Sequence, residues 1–147
     1  MEYTVYISKP SLDYFRSKAR NCPLEIHAYL IGEIKYPNIY IVTSVEHSQH
    51  PAEQTNDGVT PSWEDWSTVN SKADKERRRI IGDVHSHPEA GLFMSPADYE
   101  ACVADGTEIC GIVSVRGRKT QVMFWHVNSA LPCKVRYADY RSEEGST

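Results

Sequence analysis

His85-Ser86-His87-Pro88-Glu89-Ala90-Gly91-Leu92-Phe93-Met94-Ser95-Pro96-Ala97-Asp98 is the stretch on which the reading of this chain turns. Residues 80–87 have the apolar character of a strand, and side chains two apart on a strand share a face, so both imidazoles can reach one metal ion. Pro88 cannot donate a ladder hydrogen bond and ends the strand, after which 89–94 reads as a loop containing Gly91. Ser95 then fits a helix N-cap, Pro96 the first helical position and Asp98 the first turn. Two neutral histidines and one carboxylate form a known ligand set for catalytic zinc that leaves a fourth position for water. Zinc so held lowers the pKa of bound water to about 7 and polarises a carbonyl. Alone, each histidine would be read as structural and Asp98 as a residue favouring the positive end of its helix. Their spacing is what joins them.

Working outward, residues 4–7 alternate like a strand. Pro10 opens a helix through Arg20 with Leu12, Phe15 and Ala19 on one face. Residues 24–34 and 39–45, joined by Tyr36-Pro37-Asn38, read as a hairpin, and the polar run 47–62 as a long surface loop. Ser62 fits a second N-cap, and Trp63 and Trp66 follow at the spacing of a core-facing stripe. The basic run 72–79 suits a helix C-terminus. A helix is expected near 96–104, strands near 109–115 and 121–127 joined by Arg116-Gly117-Arg118-Lys119, and a last strand near 133–137. Residues 141–147 read as a frayed tail, which leaves one domain over 1–140.

Composition narrows the function classes. The 147 residues are 40% hydrophobic and 24% charged with a formal net charge of −4, which gives no general attraction to nucleic acid or anionic membranes. No apolar run suits a signal peptide or a membrane span, so the expected location is cytoplasmic. Cys22, Cys102, Cys110 and Cys133 form no C-x-x-C pair and are expected as small buried apolar groups.

Hydrolysis also needs a base. Glu25 and Glu33 both lie in the segment expected to flank the histidine strand, and spacing alone does not choose between them. His27, His47, His50 and His126 lack a comparable arrangement and are assigned no role.

At this point the residues resemble the JAMM or MPN+ metalloproteases, whose pattern is a distant glutamate followed by H-[ST]-H-P-x6-S-x2-D. Every specified position is present, and Glu25 with Ala28, Leu30 and Gly32 resembles the family's E-x-x-[GA]-x-L-x-G segment. The resemblance implies an α/β/α sandwich around a mixed, curved β-sheet over roughly residues 3 to 138. It implies His85, His87 and Asp98 as ligands of one Zn2+ per chain with a bound water, Glu25 as general base and acid, and Ser95 as hydrogen-bond donor to the oxyanion. The implied activity is hydrolysis of an amide at the C-terminal tail of a ubiquitin-like or sulfur-carrier protein, in branches some of which belong to antiviral defence operons. A non-catalytic MPN-type scaffold is the alternative, recognised by ligand loss. A zinc deaminase would need H-x-E and P-C-x-x-C, which are absent here.

Overall fold

The structure is a computed structural model that describes residues 1–138; the expected tail at 141–147 and the last two residues of the 1–140 domain lie outside the described residues. Strand β1 (Thr4–Tyr6) leads into helix α1 (Lys9–Arg20), whose Leu12, Phe15 and Ala19 are buried as their spacing predicts. Strands β2 (His27–Lys35) and β3 (Ile39–His47) make the expected hairpin, although β2 begins three residues later than the sequence suggests. The segment read as a loop carries a ribbon of β4 (Glu53–Gln54) and β5 (Val59–Thr60). Its reversal is closed by Thr55 N–H donating to Gly58 O at 2.8 Å across the Asn56-Asp57-Gly58 turn. Helix α2 (Trp63–Lys75), strand β6 (Arg79–Pro88), helix α3 (Pro96–Asp105) and strands β7 (Ile109–Arg116) and β8 (Lys119–His126) follow. Two short strands, β9 (Leu131–Pro132) and β10 (Lys134–Arg136), end the described chain.

Eight strands form one sheet in the order β10-β1-β3-β2-β6-β7-β8-β9, mixed because β1 runs parallel to both neighbours and β6 runs parallel to β7. Cys133 N–H donates to Phe124 O and Lys134 N–H to Tyr3 O, both at 2.8 Å, so the segment between β9 and β10 draws the two sheet edges towards each other. The sheet is accordingly curved and nearly barrel-like.

Helix α1 covers one face, packing Leu12 and Phe15 with Val5, Leu30, Val84 and Val113. Burying each such side chain contributes about 1.5–3 kcal/mol. On the other face, Val69 and Ala73 of α2 meet Tyr29 and Ile31, while Cys102 of α3 meets Cys110 and Val127. The three-layer α/β/α arrangement is therefore present.

Trp63 and Trp66 depart from expectation. They are 73% and 37% exposed and stack on each other, centroids 5.1 Å apart. The stripe that α2 buries is Asp65, Val69 and Ala73, at i, i+4 and i+8; the short side chains of Val69 and Ala73 face Tyr29 and Ile31. Close strand spacing is fixed by Gly82, where a Cβ would stand 2.3 Å from Ile109 O on β7.

Candidate metal centre

β6 delivers His85 and His87 near its carboxyl end, and the next helix in the chain, α3, returns Asp98 to them. The Nε2 atoms of the two histidines lie 3.1 Å apart. Asp98 sets Oδ1 3.2 Å from His85 Nε2 and Oδ2 3.5 Å from His87 Nε2. His87 is oriented from behind, its Nδ1 lying 3.1 Å from Gly91 O. A donor at Nδ1 leaves Nε2 as a lone pair facing the centre, the arrangement a metal-ligating histidine uses. Gly91 lies in a loop that leaves β6 through Glu89 at φ +60°, a left-handed turn unusual for a side chain of this kind.

Asp98 and Ser95 hold each other in a capping box. Ser95 N–H donates to Asp98 Oδ2 at 2.9 Å, and Asp98 N–H donates to Ser95 Oγ at 3.1 Å. The cap consumes one lone pair of the Ser95 hydroxyl and leaves its proton to donate elsewhere. The structural and catalytic descriptions of Ser95 are thus compatible.

Glu25 lies just ahead of β2 rather than within it. β2 runs antiparallel to β6 with His27 opposite His85, which brings the preceding residues to the histidines. The contact is sewn by Ser86, on the opposite face of β6 from its flanking histidines: Ile26 N–H donates to Ser86 Oγ at 2.8 Å, and Ser86 N–H to Ile26 O at 3.0 Å. The β4–β5 ribbon grips the other side, with Glu25 N–H donating to Thr55 O and Gln54 Nε2–H donating to Glu25 O, each at 2.8 Å. Ligand atoms of Glu25, His85 and His87 all lie within 4.8 Å of one another, and all three residues are buried. Glu33, the competing base, pairs with Arg78 at 3.8 Å on the surface.

The two carboxylates are driven apart electrostatically. Burial raises the Glu25 carboxyl above the ordinary glutamate range, against the pull of His85 and His87. Asp98 is also penalised by burial, but hydrogen bonds from His85 and His87 overcome that and hold it far below the usual carboxylate range. For His87, burial opposes the charged form, while Asp98 and Gly91 outweigh it and raise the imidazole. The converging donors are two imidazole nitrogens and carboxylate oxygens, with no lysine or arginine paired to them among the described residues. This donor chemistry fits zinc.

The cluster opens on a cavity of about 260 Å³ lined by Glu25, His85, Ser95 and Asp98, with the β5 segment and α3 as walls. Sequence reasoning missed the supports Ser86 and Gly91, whose roles depend on partners contributed by other segments. It also gave no role to His27, which is buried with Nε2 3.2 Å from Asp83 Oδ2. His47 ends β3 against Tyr14 and Phe15 instead of sitting in a loop, and His126 stacks on Tyr3.

A curved mixed sheet between helical layers, carrying a His-x-His strand end and an aspartate at the next helix start, defines a JAB-type domain. Residues 8–129 match the profile of prokaryotic homologs of the JAB domain, and the chain belongs to that family. It is similar in fold to a solution structure of a protein from Desulfitobacterium hafniense, with a TM-score of 0.77 and 16% identity over 92% of this chain and 93% of that one. A second solution structure, from Salinibacter ruber, has a TM-score of 0.57 and 18% identity over 84% of this chain and 80% of that one. Curated protein sequences give no match.

Proposed function

We propose that this JAB-family chain is a zinc-dependent peptidase that hydrolyses the amide bond at the C-terminal tail of ubiquitin or of a ubiquitin-like or sulfur-carrier protein. The observation that supports it best is geometric: Asp98 oxygens lie 3.2 and 3.5 Å from Nε2 of His85 and His87, with Glu25 within 4.8 Å of both histidines, and burial raises the Glu25 carboxyl while the histidine hydrogen bonds lower Asp98, which splits the two carboxylates. Such a split separates a permanent ligand from a group that exchanges protons.

His85, His87 and Asp98 would hold the zinc, which when bound polarises the scissile carbonyl and makes water a stronger acid. Glu25 takes a proton from the attacking water and returns it to the departing amine, which regenerates the carboxylate. Ser95 donates its free hydroxyl proton to the carbonyl oxygen as charge develops there. A narrow cavity bordered by the β5 segment suits an extended tail, which can pair with a strand edge through its main chain. A scaffold reading would be favoured by ligand loss, and all the motif residues are present.

The test is a panel of ubiquitin-like and sulfur-carrier proteins fused through their C-termini to a reporter, incubated with the purified chain with and without a chelator. Expected is cleavage after the tail of at least one carrier, abolished by chelation and restored by zinc. Cleavage that persists after complete zinc removal would overturn the mechanism. The genes neighbouring this one separate deconjugation, carrier processing, defence and phage assembly as the setting.

A further inference from the structure

A second group of metal-ligating side chains lies directly behind the first. Residues 83, 85 and 87 alternate onto one face of β6, so Asp83 stands one pleat behind His85. Cys110 is its direct partner on β7 in the parallel register, and Cys102 is the buried residue of α3. Ligand atoms of Asp83, Cys102 and Cys110 all lie within 4.8 Å of one another, with Cys102 Sγ 3.9 Å from Asp83 Oδ1. A tetrahedral zinc with two sulfur ligands and one oxygen ligand separates those atoms by about 3.5–3.8 Å. The group needs only a small contraction to match.

Its surroundings are those of a held ligand set. The Asp83 carboxylate is buried, yet its ion-pair partner among the described residues is His27, with no lysine or arginine. His27 engages Oδ2 at 3.2 Å and is itself fixed by Ser48 Oγ, 2.8 Å from Nδ1. Oδ1 is left facing the sulfur. An access route exists as well, because Asp83 and Cys102 line the same cavity that reaches Glu25, His85 and Asp98.

We propose that Asp83, Cys102 and Cys110 form a second cation site, selective for a thiophilic divalent metal such as zinc, with His27 as the residue that positions the Asp83 carboxylate. Two thiol protons leave to solvent as the metal binds, and the fourth position takes a water from the cavity. Soft sulfur donors distinguish this site from the all nitrogen and oxygen front site, and exclude magnesium and calcium. The second site would give the α3–β7 layer a bridge that the core of Cys102, Cys110 and Val127 lacks by itself.

Cobalt(II) tests this without any activity assay. Loaded into chelator-treated protein, it should reach about two equivalents per chain and give the intense near-ultraviolet absorption of sulfur-to-cobalt charge transfer. The band should survive His85→Ala and Asp98→Ala, which remove the front site, and survive Cys22→Ala and Cys133→Ala. It should vanish in Cys102→Ala and in Cys110→Ala with loss of about one equivalent. Cobalt binding to the native chain without a sulfur band overturns the proposal, as does a band that persists in both Cys102→Ala and Cys110→Ala. So does a thiol titration of freshly purified, denatured protein in which Cys102 and Cys110 prove to be joined as a disulfide. The wild-type spectrum alone decides if the alanine variants fail to fold. Failure of the peptidase reading leaves this result untouched, since the front site contains no sulfur.

Discussion

Two donor clusters sit in succession along one strand, and they are built by different routes. The front cluster takes His85 and His87 from a single strand end and Asp98 from the helix start eleven residues beyond, all within one continuous motif. The rear cluster takes Asp83 from the same strand, but Cys102 from the far part of α3 and Cys110 from β7. Front donors are nitrogen and oxygen atoms; rear donors are mostly sulfur, with Asp83 and Cys102 on the same cavity and Cys110 fully buried behind them. A strand pleat of two residues thus separates a nitrogen and oxygen cluster from a sulfur-rich one.

The largest expected effect separates chemistry from binding at the front. Glu25→Gln should keep zinc yet lose about 10²–10⁴-fold in cleavage rate, the usual contribution of a positioned base. Full activity in that variant would remove Glu25 from the mechanism and erase its contrast with Asp98.

Gly82→Ala strikes the spacing that both clusters share. A Cβ there meets Ile109 O at 2.3 Å, so β6 and β7 must separate. The expected loss is about 1–3 kcal/mol, read as a fall in the denaturation midpoint, with metal lost from both sites. If only one site weakens, the clusters are less mechanically coupled than their common strand suggests.

Ser95→Ala removes the α3 cap and should cost about 1 kcal/mol of stability. If Ser95 also donates at the front site as proposed, the activity of the variant should fall further than the stability loss explains, and Ser95→Thr should restore the cap. Equal recovery of stability and rate by threonine is the expected result for a hydroxyl serving both roles.

The smallest effect concerns the metal-free chain. Burial raises the Glu25 pKa in the folded state, so its stabilising contribution is complete below the ordinary glutamate range and is lost as pH rises through the raised value. At neutral pH Glu25→Gln should therefore raise the melting temperature of the metal-free protein slightly, and the gain should disappear in acid. An unchanged melting temperature at both pH values would show that Glu25 carries no burial penalty.

Much of the front site is legible in the order of residues alone. The i, i+2 histidines, the proline that ends the strand and the Ser-Pro helix start are local rules, and each element forms where those rules place it. Glu25 is legible only through family resemblance, because its position depends on Ser86 holding the neighbouring Ile26 from sixty residues further along the chain, and on the grip of the β4–β5 ribbon. Trp63 and Trp66 mislead because helical spacing identifies a stripe without saying which stripe meets the sheet; Asp65, Val69 and Ala73 take the inner face.

By itself, the sequence determined the main helices and strands, the α/β character and the two histidines and aspartate, though not the β4–β5 ribbon, since strand alternation and helix capping act over a few residues. Tertiary structure decided which glutamate faces the histidines, how burial raises the Glu25 carboxyl while hydrogen bonding lowers Asp98, and that Cys102 and Cys110 meet beside Asp83. Those outcomes arise from strand register and helix packing, which bring together residues with no local spacing rule between them.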